Sequence, residues 1–517
     1  MTIRRVLIVL AVLLVPAIWA FSSPPGSSPD EDFHLASIWC AQGISPGTCE
    51  TSDVATVLLV PRQAVAQTCY AHNPSQSGAC QEAAIAYDAV DSCDRYAFLD
   101  NPAEACAQAQ GTAGLTGIWD GFANSHRSYP PYYYEFMHLF VTSNVIVSIM
   151  MIRLVNVVIT ATMLLLVIFL SRRSARQAVV AAAIGASIPL GLSLTGSVNP
   201  SAWGIVSLCT FWVALLEGIE QTQRKRRAAL LAIAVIGLVM AIATRVDVQA
   251  FIAISIVVVL LLSPVAQKAV RRYWYLVACG VGVIALGAIV MMRVTQQWNV
   301  TPAGAPPTSE AARLLLYSNF IEISGLWTGS FGTWGIGQID TPTPSLVAAL
   351  AVPVFFFFVL FGLSKVNAGK CIALAFIVVS FLTVALWTLQ GNSKHVGELV
   401  QPRYLLPLLF LLVGTAILVP NRETGLRLSH AQRHVIVGLL AVSQSLALHA
   451  TMRRYITGID FPHYNLNLGI EWWWTILPSP MLVWLVGSVA FTYLAYEALR
   501  LFTPPPRIVE QFPQLSK

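Results

Sequence analysis

The stretch Ser28-Pro29-Asp30-Glu31-Asp32-Phe33-His34 sets three acids in a row, with a histidine four residues after the first of them. These residue types suit proton transfer. An ionised carboxylate can take a proton from a hydroxyl nucleophile, and a histidine at i+4 on a helix shares its face and can orient it. Asp30 is therefore the candidate base, and His34 its orienting or substrate-binding neighbour. Glu31 is the second acid, with a structural reading of its own. Ser28 is a good N-cap, Pro29 suits the first helical position, and Glu31 three residues after the cap completes a capping box. Adjacent acids could also hold Mg²⁺ or Mn²⁺ through oxygen ligands, although adjacency alone makes a poor metal site. The plain alternative is a solvated acidic turn.

The elements that must position these residues follow from composition. The chain has 517 residues, 56% hydrophobic and only 11% charged, where a soluble protein carries about 25% charged residues. Apolar runs recur at lengths that cross a bilayer, and in lipid only helices and closed barrels satisfy their own backbone. The expected fold is an all-α polytopic membrane protein with about twelve transmembrane helices, near 4–21, 146–170, 177–195, 203–219, 228–244, 250–263, 273–293, 346–363, 371–389, 405–420, 435–451 and 479–500. The first is read as a retained helix, because Ile18 makes a mediocre signal-peptide cleavage site. Alternate connections (SRRSAR, RKRR, KAVRR, KVNAGK, NRETGLRLSHAQRH) hold most of the basic residues, so they face the cytoplasm with both termini. The net charge of +6 thus reports orientation, and no clustered basic and aromatic surface suggests nucleic acid.

This assignment divides the chain into a first helix (1–21), an extracytoplasmic loop (22–145), helices 2–7 (146–293), a second long outward loop (294–345), helices 8–12 (346–500) with outward loops 390–404 and 452–478, and a tail (501–517). The first loop contains Cys40, Cys49, Cys69, Cys80, Cys93 and Cys106. No C-x-x-C spacing occurs among them, so up to three disulfides are expected, pinning short helices, with connectivity open. The segment after Tyr132 should begin as an interfacial helix and enter the membrane near Ser148. No G-x-x-x-x-G-K-[ST] loop or cytoplasmic domain appears, which argues against a nucleotide-driven pump.

SPDEDFHLASIW resembles the P-D-E-x-x-H signature of a large bacterial membrane-protein family formerly catalogued as a domain of unknown function. Further stretches match in order. YPPYYYEF resembles H-P-P-x-Y-Y, with Ser128-Tyr129 in place of the histidine, and MMIRLVNVV resembles an R-L-V segment. GSVNPSAWG is similar to an outward turn. GSFGTWGIGQIDTPTPS is similar to G-x-F-G-W-L-D-T-P-x-P with an insertion around Trp334–Gln338, and VQPRYLLPLL resembles V-Q-G-R-Y-x-L-P with Pro402 for glycine. That family in turn resembles the GT-C class of glycosyltransferases. The resemblance implies an outer-leaflet cavity, a polyprenyl-phosphate sugar donor, and a glycan, lipoglycan or protein acceptor. It also implies an acidic base in the first outward loop, carried to Asp30, in a protein of the bacterial inner membrane acting on its extracytoplasmic side.

A departing lipid phosphate needs positive charge. Arg403, at the outer start of a helix, is the first choice, followed by Arg245, for which Asp247 offers a local salt bridge. Lys394 and His395 lie in the same outward loop as Arg403. Arg153 sits in an apolar run, where an unpaired charge costs at least ~2.5–3.5 kcal/mol; Asn156 is its nearest, weak partner. Asp340, Trp334 and Tyr404 are candidate substrate contacts. Two other classes of function compete: a transporter or flippase for lipid-linked glycans, which would need paired ionisable groups at mid-membrane, and a non-catalytic assembly protein working through its disulfide-bonded loop.

Overall fold

The computed structural model describes residues 3–53, 56–65, 69–81, 115–119, 123–124, 129–272, 309–398, 400–420 and 423–503. Among these, eight helices are long and apolar enough to cross a membrane: Ile3–Phe21, Val145–Leu170, Ser201–Glu220, Arg224–Thr244, Ser345–Gly362, Ala368–Gly391, His430–Ile456 and the run Pro480–Phe502. Val246–Leu262 and Pro264–Arg272, bent by 101° at Ser263, make a ninth if counted as one span. The expected span at 273–293 lies outside the described residues.

Helix starts follow local chemistry. Asn144 accepts from the Val147 N–H at 3.0 Å, and Asn367 from that of Lys370 at 2.9 Å. Ser429 forms a full capping box with Gln432. The helix that Asn144 caps begins beyond the short helix Tyr132–His138, which divides this segment as the sequence suggested.

Two helices lie inside the bundle. Ser201–Glu220 is buried along almost its whole length, as is the shorter Pro402–Ile417. With no water to expel between helices in lipid, close approach of small residues supplies the packing. A Cβ on Gly414 would lie 2.6 Å from the Trp212 ring, so glycine is what lets these two inner helices meet. Arg403 sits in the first turn of the inner helix Pro402–Ile417. The fold therefore sets a cation at the mouth of the bundle core.

Two expectations change. The span near 177–195 is divided into Arg173–Gly185 and a short helix Leu190–Thr195. Pro189 lacks an N–H and cannot continue the first of these. The described part of the first loop has the expected short helices, Glu31–Trp39 and Tyr132–His138 among them, but not those alone. It contains a three-stranded antiparallel sheet of Glu50–Thr51, Val57–Pro61 and Leu115–Trp119, with Val57 opposite Trp119 and Pro61 opposite Leu115. Val57-Leu58-Leu59-Val60 is apolar with a β-branched valine at each end, as a strand prefers. Disulfides join Cys40 to Cys49 and Cys69 to Cys80. Cys93 and Cys106 lie outside the described residues.

Candidate functional site

The acidic stretch is held by its backbone. Arg153, 1% exposed, donates to the carbonyls of Ala20 (2.8 Å), Ser23 (2.9 Å) and Pro24 (2.7 Å). The loop is gripped from other segments as well. Asn199 Nδ2 donates to Pro29 O at 2.7 Å, Gln338 Nε2 to Gly26 O at 2.9 Å and Ser28 O at 2.6 Å, and the Tyr455 hydroxyl to Ser27 O at 3.2 Å. Four stretches far apart in sequence thus converge on residues 20–29. The buried turn leaves none of these carbonyls to water, as a buried backbone requires.

Glu31 is the anchor of this clamp. It is fully buried, and its carboxylate accepts from Arg153 Nε and Nη2 at 3.0–3.2 Å, from Val198 N at 3.1 Å and from Ser28 N at 3.0 Å. The glutamate half of the expected capping box is therefore present. The helix, however, starts at Glu31, with Asp30 as its N-cap in a left-handed conformation (φ 57°), while Ser28 Oγ is left unpaired. Aspartate tolerates that region better than most residues. Here it turns adjacent acids apart, Glu31 into the protein and Asp30 towards the partly exposed side. The partner of Arg153 is Glu31; Asn156 instead bonds the Tyr133 hydroxyl, Ser197 O and the Trp203 indole.

Asp30 meets Arg403. Its side chain is 41% exposed, and Oδ2 lies 2.5 Å from Arg403 Nη2, whose own side chain is 2% exposed. The same Nη2 reaches the Tyr404 hydroxyl at 3.0 Å. Arg245 also lies over that ring, 4.1 Å from its centroid, fixed by Asp247 at 2.9 and 3.0 Å and donating to the Tyr129 hydroxyl at 3.2 Å. Two guanidiniums thus contact one aromatic ring, at 4.1 and 4.9 Å from its centroid, each with one carboxylate. Arg403 Nη1 is buried and has no partner. A charged donor left bare is costly, and an oxygen-rich ligand would satisfy it.

His34 does not bond the Asp30 side chain as expected. Its backbone N–H donates to Asp30 O at 3.0 Å, while Nδ1 pairs with the Tyr134 hydroxyl at 3.0 Å. Burial, with Arg403 and Arg245 adding to it against the pull of Asp30, pushes the imidazole down to about 3. It is a neutral spacer at physiological pH. Burial likewise pushes the Tyr129 hydroxyl up to about 12, against the opposing influence of Arg245.

The remaining candidates lie elsewhere or at the edge. Trp334 lines a small cavity with Pro29 and Arg403. Asp340 is 3% exposed on its side chain and pairs with Arg454 Nη2 at 3.0 Å, also accepting from His72 N at 2.9 Å; it ties loops together. Lys394 pairs loosely with Glu398 at 3.7 Å, and the His395 N–H bonds the same carboxylate, both outside the arginine cluster. Asp30 and Glu31 do not fit a divalent cation, since Glu31 is saturated by Arg153 and backbone N–H groups and Asp30 faces a guanidinium. Sequence reading missed Tyr129 and Gln401 as members of this neighbourhood. Each stands beside a quoted motif residue, but only the three-dimensional packing selects it.

Chemically, the cluster offers a carboxylate open to an incoming hydroxyl beside two arginines able to receive an anion. None of the curated proteins and none of the solved structures matches the chain. Residues 13–412 match the model of a family described as predicted membrane proteins (DUF2142). The match spans most of the chain, which therefore belongs to the DUF2142 family of predicted membrane proteins.

Proposed function

We propose that the protein is a membrane glycosyltransferase of GT-C type, transferring a sugar from a polyprenyl-phosphate donor to a cell-envelope glycan, lipoglycan or protein acceptor. The observation that carries this reading is the Asp30–Arg403 pair: a half-open carboxylate against a buried guanidinium that keeps one N–H unpartnered. The donor phosphate occupies Arg403 Nη1 and the neighbouring Arg245, and its arrival releases Asp30 from the ion pair. Asp30 then takes the proton of the acceptor hydroxyl, whose oxygen bonds to the anomeric carbon as the carbon–oxygen bond to phosphate breaks. The transition state is oxocarbenium-like, and the charge gathering on the phosphate is met by arginines already in place. Glu31 serves this site as the anchor of the loop.

The reading includes twelve spans in the inner membrane, with both termini cytoplasmic and the site on the extracytoplasmic side. Charge placement along the sequence and the two disulfides of the first loop support that orientation. The test uses purified protein in nanodiscs with radiolabelled polyprenyl-phosphate sugars and envelope acceptors. Asp30→Asn is expected to fold and bind donor but lose sugar transfer by at least a hundredfold, the scale of a general base. Full activity in that variant removes the base assignment. Transbilayer movement of a lipid-linked glycan with no new glycosidic bond establishes the flippase instead.

A further inference from the structure

Far from Asp30, the last two long helices leave a groove between them. His430–Ile456 and Pro480–Leu499 are tied part-way along, where the Ser445 and Ser488 hydroxyls bond at 2.9 Å and the Trp484 indole donates to Ser445 O at 2.9 Å. They meet again towards one end, where the Arg433 guanidinium lies over the Tyr496 ring, 5.0 Å from its centroid. Between these ties, Val437, Ala441, Val489 and Thr492 help to wall a groove of about 650 Å³. Val442 and Val489, 46% and 60% exposed, open it sideways to the surface of the bundle. The serine and threonine hydroxyls of its walls are spent within the protein, Ser445 and Ser488 on each other and Thr492 on Ser488 O at 2.7 Å. The groove therefore offers hydrocarbon a matching surface, and left empty it would forfeit dispersion contacts along its walls.

Its position and length fit one leaflet of a bilayer. Arg433 precedes Tyr455, which bonds the loop carrying Asp30, by about 33 Å of helix at ~1.5 Å per residue. A hydrocarbon core is about 30 Å thick, so Arg433 lies at the membrane surface opposite the Asp30 cluster. The Ser445–Ser488 tie closes the groove about 18 Å along the helix from Arg433. That run is near the ~15 Å depth of a single leaflet, whereas a partner helix crossing the membrane would need the full thickness.

The surface end of the groove is basic. Arg433 is 6% exposed, its buried Nε has no partner, and Nη2 makes a long contact of 3.4 Å to His430 Nδ1. Among the described residues no acid forms a salt bridge with it; Glu497, next to Tyr496, is taken by Arg4 and Arg500. The exposed His434 stands against the same Tyr496 ring. A buried charged donor left bare is costly, and an anionic oxygen satisfies it. A basic site between transmembrane helices, continued by an apolar groove, matches a lipid with an anionic head.

We propose that this groove holds an anionic phospholipid, with its phosphate on Arg433 beside Tyr496 and an acyl chain running to the Ser445–Ser488 tie. The site is separate from the Asp30 cluster and does not depend on the transferase reading.

Binding tests it. Full-length protein, delipidated in detergent, is titrated with phosphatidylglycerol, with phosphatidylcholine of the same chains, and with inorganic phosphate, and bound lipid is counted by native mass spectrometry. One phosphatidylglycerol is expected to bind about fivefold tighter than phosphatidylcholine, the worth of one basic residue at an anionic lipid. Arg433→Gln should remove that preference, Ala441→Trp should weaken both lipids by filling the groove, and Arg403→Gln, at the opposite surface, should change neither. No preference in the wild-type protein overturns the site, as does a preference that survives in folded Arg433→Gln or is lost in Arg403→Gln. Inorganic phosphate binding as tightly as the lipid shows an anion site without a chain and also refutes it. A dimer in lipid-free detergent that Ala441→Trp dissociates puts a second copy in the groove and does the same.

Discussion

Replacing Glu31 by glutamine separates an anchoring role from a chemical one. The carboxylate takes five hydrogen-bond contacts at 3.0–3.2 Å, three of them from Arg153 and the others from Ser28 N and Val198 N. Glutamine keeps the shape but turns an amide NH₂ against donors, and it leaves the Arg153 charge unbalanced at 1% exposure. Removing one partner of a buried pair costs about 3–5 kcal/mol. The three carbonyls that Arg153 also reaches hold the result near the lower end, about 3 kcal/mol, or roughly a hundredfold in the folded-to-unfolded ratio. Unfolding of purified protein in detergent, followed by tryptophan fluorescence against denaturant, reads this directly. Glu31→Asp, which keeps the charge, should recover part of the loss. If Glu31→Gln unfolds like wild type yet fails to transfer sugar, the anchor argument is wrong and Glu31 takes part in the chemistry.

Three further outcomes follow from the same geometry. His34 gains a proton below about 6.5 in the unfolded chain but only near 3 in the folded one. Between those values the unfolded chain binds more protons, so this contribution is complete above pH 6.5 and declines on acidification by up to about 1.4 kcal/mol per pH unit. His34→Gln should flatten that acid limb, and an unchanged slope in unfolding midpoints from pH 7 to 4 would refute it. Arg245→Lys keeps the charge but loses the two-point grip on Asp247 and the flat contact with Tyr404. Binding of polyprenyl phosphate should weaken about tenfold, and unaltered affinity counts against Arg245 as a phosphate ligand. Cys69→Ser with Cys80→Ser opens a short closed loop whose Tyr70 hydroxyl, with the adjoining Gln81 side chain, donates to Pro25 O. Loop closure of that length is worth about 3 kcal/mol, so proteolysis within residues 69–81 should accelerate; an unchanged cleavage rate contradicts the strap.

The apolar runs and the cysteine-rich first loop were legible in the sequence because each depends on local composition, whereas the cap read at Ser28 moved to Asp30. Asn144, Asn367 and Ser429 start helices for reasons contained in their own neighbourhoods. Arg153 announced by its isolation that it needed a partner, yet its identity lies 122 residues away at Glu31. The Arg245–Asp247 pair was readable because it spans two residues, whereas the stacking of that arginine on Tyr404 was not.

What the tertiary structure alone decided is the division of labour between adjacent acids. Asp30 and Glu31 have nearly the same chemistry, and no local rule assigns one to the interior. The choice comes from the left-handed turn at Asp30, held because Arg153, Val198, Asn199, Gln338 and Tyr455 satisfy the surrounding groups from four distant segments. Burying Glu31 is tolerable only where a guanidinium and backbone N–H groups already converge, and that convergence is a property of the packed chain. Sequence supplied the groups; packing determined which of them face a ligand.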